Sequence, residues 1–189
     1  MNAPLSRCAL LRRAVLLCSS FVENLAFYRA AMADQMAPIR SDDHPHVAFL
    51  RRTINNFIDS AVLDWCKLFG NRRQEDHHWR NVVSDPSAFE RALLGELGMT
   101  ADEYEHLVKK MLDYRNNFLA HLGKALIMTP PELTPAHKAV VIYHRQIFEH
   151  EGKSNELVRL PNVAHLALGF AECTEEAIRA YRKLMEDVS

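Results

Sequence analysis

One stretch of the sequence gathers residue types that could do chemistry together: Tyr114-Arg115-Asn116-Asn117-Phe118-Leu119-Ala120-His121. Arginine keeps its charge at any working pH and presents a planar fork of donors that fits a phosphate. Histidine titrates near neutrality and can give or take a proton. A cation on the phosphate with a proton carrier beside it is what cleavage of RNA through the 2′-hydroxyl requires.

The helical wheel makes Arg115 the anomaly. At ~100° per residue, Tyr104, Val108, Met111, Leu112, Phe118, Leu119 and Leu122 fall within about 60° of it, in mid-stripe. An arginine is almost never buried alone, so a carboxylate, a second chain or an anion such as phosphate must face it. His121 falls about 120° away on the same wheel, on the flank of Tyr114 and Asn117. A straight helix does not aim the two at one point. A bend or fray before Gly123, or two copies meeting across a dimer, would bring them together. A helix C-terminus also favours the protonated imidazole.

Outside that stretch, His77-His78-Trp79-Arg80 pairs an aromatic ring with an arginine, a combination that stacks on a single-stranded base. Equally, Trp79 can anchor its loop on the core. Arg72-Arg73 and Lys109-Lys110 are either a solvated face or a basic patch on the side of Arg115. Among the ten histidines, His44, His46, His77 and His78 invite a metal. No H-E-x-x-H or Cys/His spacing supports one, so they read as loop histidines and no metal ligand is assigned. Cys8, Cys18, Cys66 and Cys173 form no C-x-x-C pair, which points to reduced thiols in a cytoplasm.

The elements that must position these residues follow from apolar periodicity. Leu11, Ala14, Cys18, Phe21, Leu25, Tyr28 and Met32 recur in steps of three and four, predicting a helix over residues 5–35. Val47, Leu50, Ile54, Phe57, Ala61, Trp65 and Leu68 predict a second, ending near Gly70 and packed antiparallel on the first. Residues 71–84 are polar and aperiodic and read as a long loop. Asp85-Pro86 opens a short helix that stops at Gly98. Thr100 and Glu103 form a capping box for the helix carrying Arg115, limited by Gly123 and Pro130-Pro131. Thr134-Pro135 is read as the cap of another helix, favoured over a hairpin pairing Ala139–Tyr143 with residues 156–160. A last helix follows Pro161 and runs to about Asp187.

A chain of 189 residues that is 48% hydrophobic can build one core, so residues 1–189 are taken as a single all-α domain of about five or six helices. The formal net charge of −1 offers no global basic field, so any anionic partner must meet a local patch. Ala9–Ser20 carries Arg12-Arg13 in its middle, and no apolar run reaches the ~18 residues of a membrane span. A soluble, cytoplasmic protein without a targeting segment or a membrane partner is expected.

The run Tyr114–Gly123 resembles the arginine–histidine signature of HEPN domains, in the form R-N-x-x-x-A-H. Asn24–Ala30 in the first helix, Asp64–Gly70 closing the second, His78-Trp79 and Met111–Tyr114 are similar to stretches of bacterial HEPN-like proteins of the abortive-infection and toxin type. The likeness covers roughly residues 20–125 and the closing helix, leaving 125–160 as an expected insertion. The resemblance implies an up-and-down helical bundle that homodimerises and brings two Arg/His motifs into one cleft. It implies a metal-independent endoribonuclease without cofactor, with an RNA substrate and an antitoxin or other protein partner. Arg115 would hold the scissile phosphate, His121 would be general acid or base, and Asn116 would support them. Tyr114, Asn117, Trp79 and Arg80 are the expected substrate contacts. Many HEPN domains do not cleave, so a non-catalytic helical dimer that binds nucleotide, nucleic acid or a protein is the alternative.

Overall fold

Local capping chemistry sets several of the helix ends. In the computed structural model, which describes residues 5–33, 45–70, 76–120, 129–152, 157 and 159–186, every regular element is helical. These are α1 (Arg7–Ala33), α2 (Pro45–Phe69), α3 (Trp79–Val82), α4 (Pro86–Leu97), α5 (Ala101–Tyr114), α6 (Thr134–Gln146) and α7 (Val163–Glu186). Helices α5 and α6 each run on into a π segment, Arg115–Ala120 and Ile147–Glu151 respectively. The all-α expectation holds. The described residues contain seven α-helices, and the addition is α3, one turn inside the stretch read as loop.

Asp85 caps α4 by accepting from the Ala88 N–H at 3.0 Å, with Pro86 filling the first turn where its missing N–H costs nothing. Gly98 ends α4 at φ 67°, the left-handed region that glycine enters without steric penalty. Thr100 and Glu103 form the reciprocal capping box of α5. The α6 start differs from expectation. Leu133 occupies the cap position without a capping side chain, and Thr134 is already helical. Its N–H donates to the Glu132 carboxylate at 3.0 Å, so an acidic residue two positions upstream serves the free N–H.

Helix α1 lies against most of the others. The Phe27 ring stacks on Phe57 at 4.8 Å while Ser20 bonds Asp64, so α1 and α2 run antiparallel. Helix α6 is also antiparallel to α1: Arg29 reaches Thr134, Phe21 meets His137, and Arg7 reaches Glu151 just beyond α6. The β-branched run Ala139–Tyr143 is helical because Ala139, Val140, Ile142 and Tyr143 are buried in the core, where packing overrides propensity. Leu11, Cys18 and Leu25 are fully buried, yet Met32 at the end of the same seam is 63% exposed. A strict seven-residue step drifts by about 20° per heptad on a straight helix, and by Met32 the seam has left the contact.

Helices α2 and α5 pair antiparallel, with Asp59 opposite Tyr114 and the Cys66 thiol opposite the Met111 carbonyl. A Cβ on Gly70 would lie 2.5 Å from the Cys66 carbonyl oxygen and 3.1 Å from Leu112 Cδ2. Glycine there lets α2 end tightly against α5, and this pairing fixes where Arg115 stands. No helix among the described residues is long and apolar enough to cross a membrane.

Candidate functional site

The end of α5 is anchored before the chemistry begins. Tyr114 is buried, and its hydroxyl donates to Asp59 Oδ1 on α2 at 2.8 Å. Partial burial pushes the Asp59 carboxyl above the usual range, and the Tyr114 hydrogen bond works against that shift. Burial likewise raises the Tyr114 phenol, reinforced by Asp59 and then by Tyr28 from α1. The expected substrate contact at Tyr114 is therefore committed to holding α5 on α2.

Arg115 follows at the point where the helix changes pitch. Its N–H is shared between the Leu112 and Met111 carbonyls, and the wider π turn starts there. A π turn closes over five residues rather than four. Arg115 itself keeps the α-helical geometry and is half-buried, and the residues that follow it leave the 3.6-residue wheel. Its Nε and Nη2 both donate to the Asn116 side-chain oxygen, at 3.0 and 2.9 Å. Among the described residues no carboxylate pairs with it. Asn116 and Asn117 are exposed. His121 lies outside the described residues, as do Arg72 and Arg73.

A surface groove of about 540 Å³ runs along α5 to Asn116. His106 and Lys109 line it together with Asp102, Glu105 and Asp113. Of the residues that could form a basic patch, Lys109 lines this groove among three carboxylates.

The other expected contact region folds onto the core. His78 is buried and caps α3, its Nδ1 accepting from the Arg80 N–H at 3.1 Å. Trp79 is 1% exposed and packs on Phe89, so its ring anchors the segment. The Arg80 guanidinium lies 4.9 Å from the Trp79 ring centroid and pairs with Glu90. Arg80 remains partly exposed. Among the described residues no three His, Cys, Asp or Glu side chains converge as a metal site would need.

Of the sequence-predicted residues, the structure bonds Arg115 to Asn116, turns Tyr114 to Asp59 instead, and holds Trp79 and Arg80 in a second cluster off α3. Asp59 was missed. It lies on the flank of α2 away from the apolar seam, and only a partnered tyrosine tip on α5 could have signalled it. Compared with known proteins, the chain matches no family model, no curated protein and no solved structure.

Proposed function

We propose that the chain is a HEPN-like endoribonuclease of the toxin or antiviral defence type, cytoplasmic and metal-independent, acting as a homodimer of up-and-down bundles. Arg115 binds the scissile phosphate, His121 moves the proton, and Asn116 holds the guanidinium. The observation that carries this reading is the state of Arg115. It is half-buried, and its fork is oriented by a neutral amide rather than cancelled by a carboxylate among the described residues. A cation oriented in that way keeps donors and charge for an incoming anion.

The test is incubation of the purified chain with mixed RNA in EDTA, beside Arg115→Ala and His121→Ala. Cleavage that survives chelation and disappears in both variants is expected. Intact RNA at high enzyme concentration, or cleavage unchanged in either variant, overturns the nuclease reading.

A second reading has one observation in its favour. Asp102, Glu105 and Asp113 line the groove that ends at Asn116 and would repel a phosphate backbone laid along it. On that reading the dimer is non-catalytic and the same groove receives a protein partner. RNA left uncut and unbound at low salt, where basic grooves bind best, would favour it.

A further inference from the structure

A cavity of about 410 Å³ lies between α1, the first turns of α7 and the chain that leads into α7. Its volume is within the range of small-molecule sites. The polar groups stand at the rim, where a ligand meets them: Glu23, Arg159, His165 and Glu172 line the cavity and are all exposed. The apolar wall is open as well. Leu160 and Pro161 are half-buried, and Leu168 is 54% exposed.

Three features separate this cavity from an ordinary surface dent. Gly169 lies inside α7, where glycine is less stable than alanine. A Cβ there would meet nothing within 4 Å, so packing does not demand glycine, and its bare backbone lines the cavity. Arg159, at φ 70°, is the one non-glycine among the described residues in the left-handed region, a conformation that costs free energy in a long side chain. From that turn its side chain lines the rim. The third feature is charge. Opposite signs share one cavity, yet among the described residues Arg159, Glu23 and Glu172 form no ion pair.

Those charges fall at two ends. Arg159 stands just before α7, and His165 stands in its first turn. Glu172 comes two turns beyond His165, about 10 Å along the helix axis at ~1.5 Å per residue. Glu23 joins it from α1. Burial, then Glu23, Glu176 and Glu172, raise the Cys173 thiol, so the Glu23 and Glu172 carboxylates both lie near that side chain. A ligand that completes the cavity carries an anion and a cation about 10 Å apart with an apolar stretch between them. A free amino acid holds both charges on one carbon and is too short. An extended peptide of three residues with free ends spans about 10 Å, and its backbone can lie on the bare surface at Gly169. We infer that the cavity binds a short apolar peptide by its two ends. The carboxylate meets Arg159, the ammonium meets Glu23 and Glu172, and the apolar side chains lie on Leu160, Pro161 and Leu168. Neither α1 nor α7 carries the Arg115 chemistry, so the inference stands or falls apart from the nuclease reading.

The experiment is calorimetric titration of the full chain with the tripeptide Ala-Leu-Ala, its N-acetylated and C-amidated forms, and free leucine. Saturable binding of the tripeptide is expected, weakened about fivefold by either block, because charge pairs at an exposed rim contribute modestly. Arg159→Ala should bind the free tripeptide about fivefold more weakly and no longer distinguish it from the amidated form. Glu23→Gln combined with Glu172→Gln should lose the distinction from the acetylated form in the same way. Gly169→Leu should abolish binding by filling the open floor, with a melting temperature unchanged or raised by the better helix former. Arg115→Ala should leave the affinity unchanged. No heat at millimolar tripeptide, leucine bound as tightly as the tripeptide, or blocked ends without effect overturns the inference. Undiminished binding by Arg159→Ala or by Gly169→Leu overturns it as well.

Discussion

Two arginines, one at the start of α1 and one at the end of α5, show what a structural cation looks like beside a candidate functional one. Arg7 donates to Glu151 at 2.6 Å and to the Val82 carbonyl. Glu151, its side chain 1% exposed, also accepts from the Ser84 N–H at 3.0 Å, the Ser84 hydroxyl at 2.6 Å and Gln146 at 3.1 Å. That clamp ties the start of α1 to the α3–α4 link and to the π segment after α6. Arg115 also sits beside a π turn, but its fork is held by the amide of its own neighbour. A cation matched by a carboxylate contributes to the fold, whereas one oriented by a neutral group leaves its charge for something else. The difference between the two ends is therefore testable as stability against activity.

The largest stability effect is expected at the clamp. Glu151→Ala should cost about 3 kcal/mol in urea unfolding, since it strips several donors of one buried acceptor. Burial alone would raise the Glu151 carboxyl, but the Ser84 and Gln146 hydrogen bonds and Arg7 outweigh it and hold it low. A lowered carboxylate stabilises above its unfolded value and loses that contribution as pH falls through its folded value. Wild type should therefore lose stability below about pH 4.5, the ordinary value, and the variant should lose less there. An equally steep acid limb in both would break the comparison.

Next comes His144, fully buried in α6 with its Nε2 on the Pro161 carbonyl at 2.9 Å. Burial lowers its ring to about 4, against the hydrogen bond that favours the charged form. The unfolded chain takes up a proton near the ordinary value of 6.5 that the folded ring refuses until about 4, so stability should fall as pH drops across that window. The loss should approach about 3 kcal/mol. His144→Phe should flatten that slope, leaving the share of His137, which is lowered in the same direction.

Smaller effects belong to the α5 end. Tyr114→Phe should cost about 1 kcal/mol in denaturant titration, the loss of the bond to Asp59. Thr100→Ala should cost a similar amount, about 1 kcal/mol, by opening the capping box. Arg115→Ala should change stability by only about 0.5 kcal/mol or less while removing RNA cleavage. If Arg115→Ala unfolds the chain as Glu151→Ala does, Arg115 is structural and the contrast between the two ends disappears.

Particular residues show how far the sequence could be read. The Asp85 cap, the Gly98 stop and the Thr100–Glu103 box each depend on residues within a few positions of the backbone they serve, and all three are found where expected. The apolar seam of α1 was legible for two heptad steps and failed at the third, Met32, where drift had accumulated. Arg115 was legible as an anomaly but not in its resolution. The wheel assumes a constant pitch, and the π turn that begins at Arg115 is not written in any local propensity. Trp79 was visible as either a substrate platform or an anchor, and packing against Phe89 decided for the anchor.

The sequence by itself determined the all-helical class, most of the helix limits and the presence of an arginine that needs an explanation. Those properties arise from interactions over four residues or fewer, which periodicity and capping residues encode directly. The tertiary structure decided which polar groups found partners. Asp59 meets Tyr114 across 55 positions of sequence and Glu151 meets Arg7 across 144. Whether a charge is cancelled or left available depends on such meetings between distant segments, and no local pattern records them.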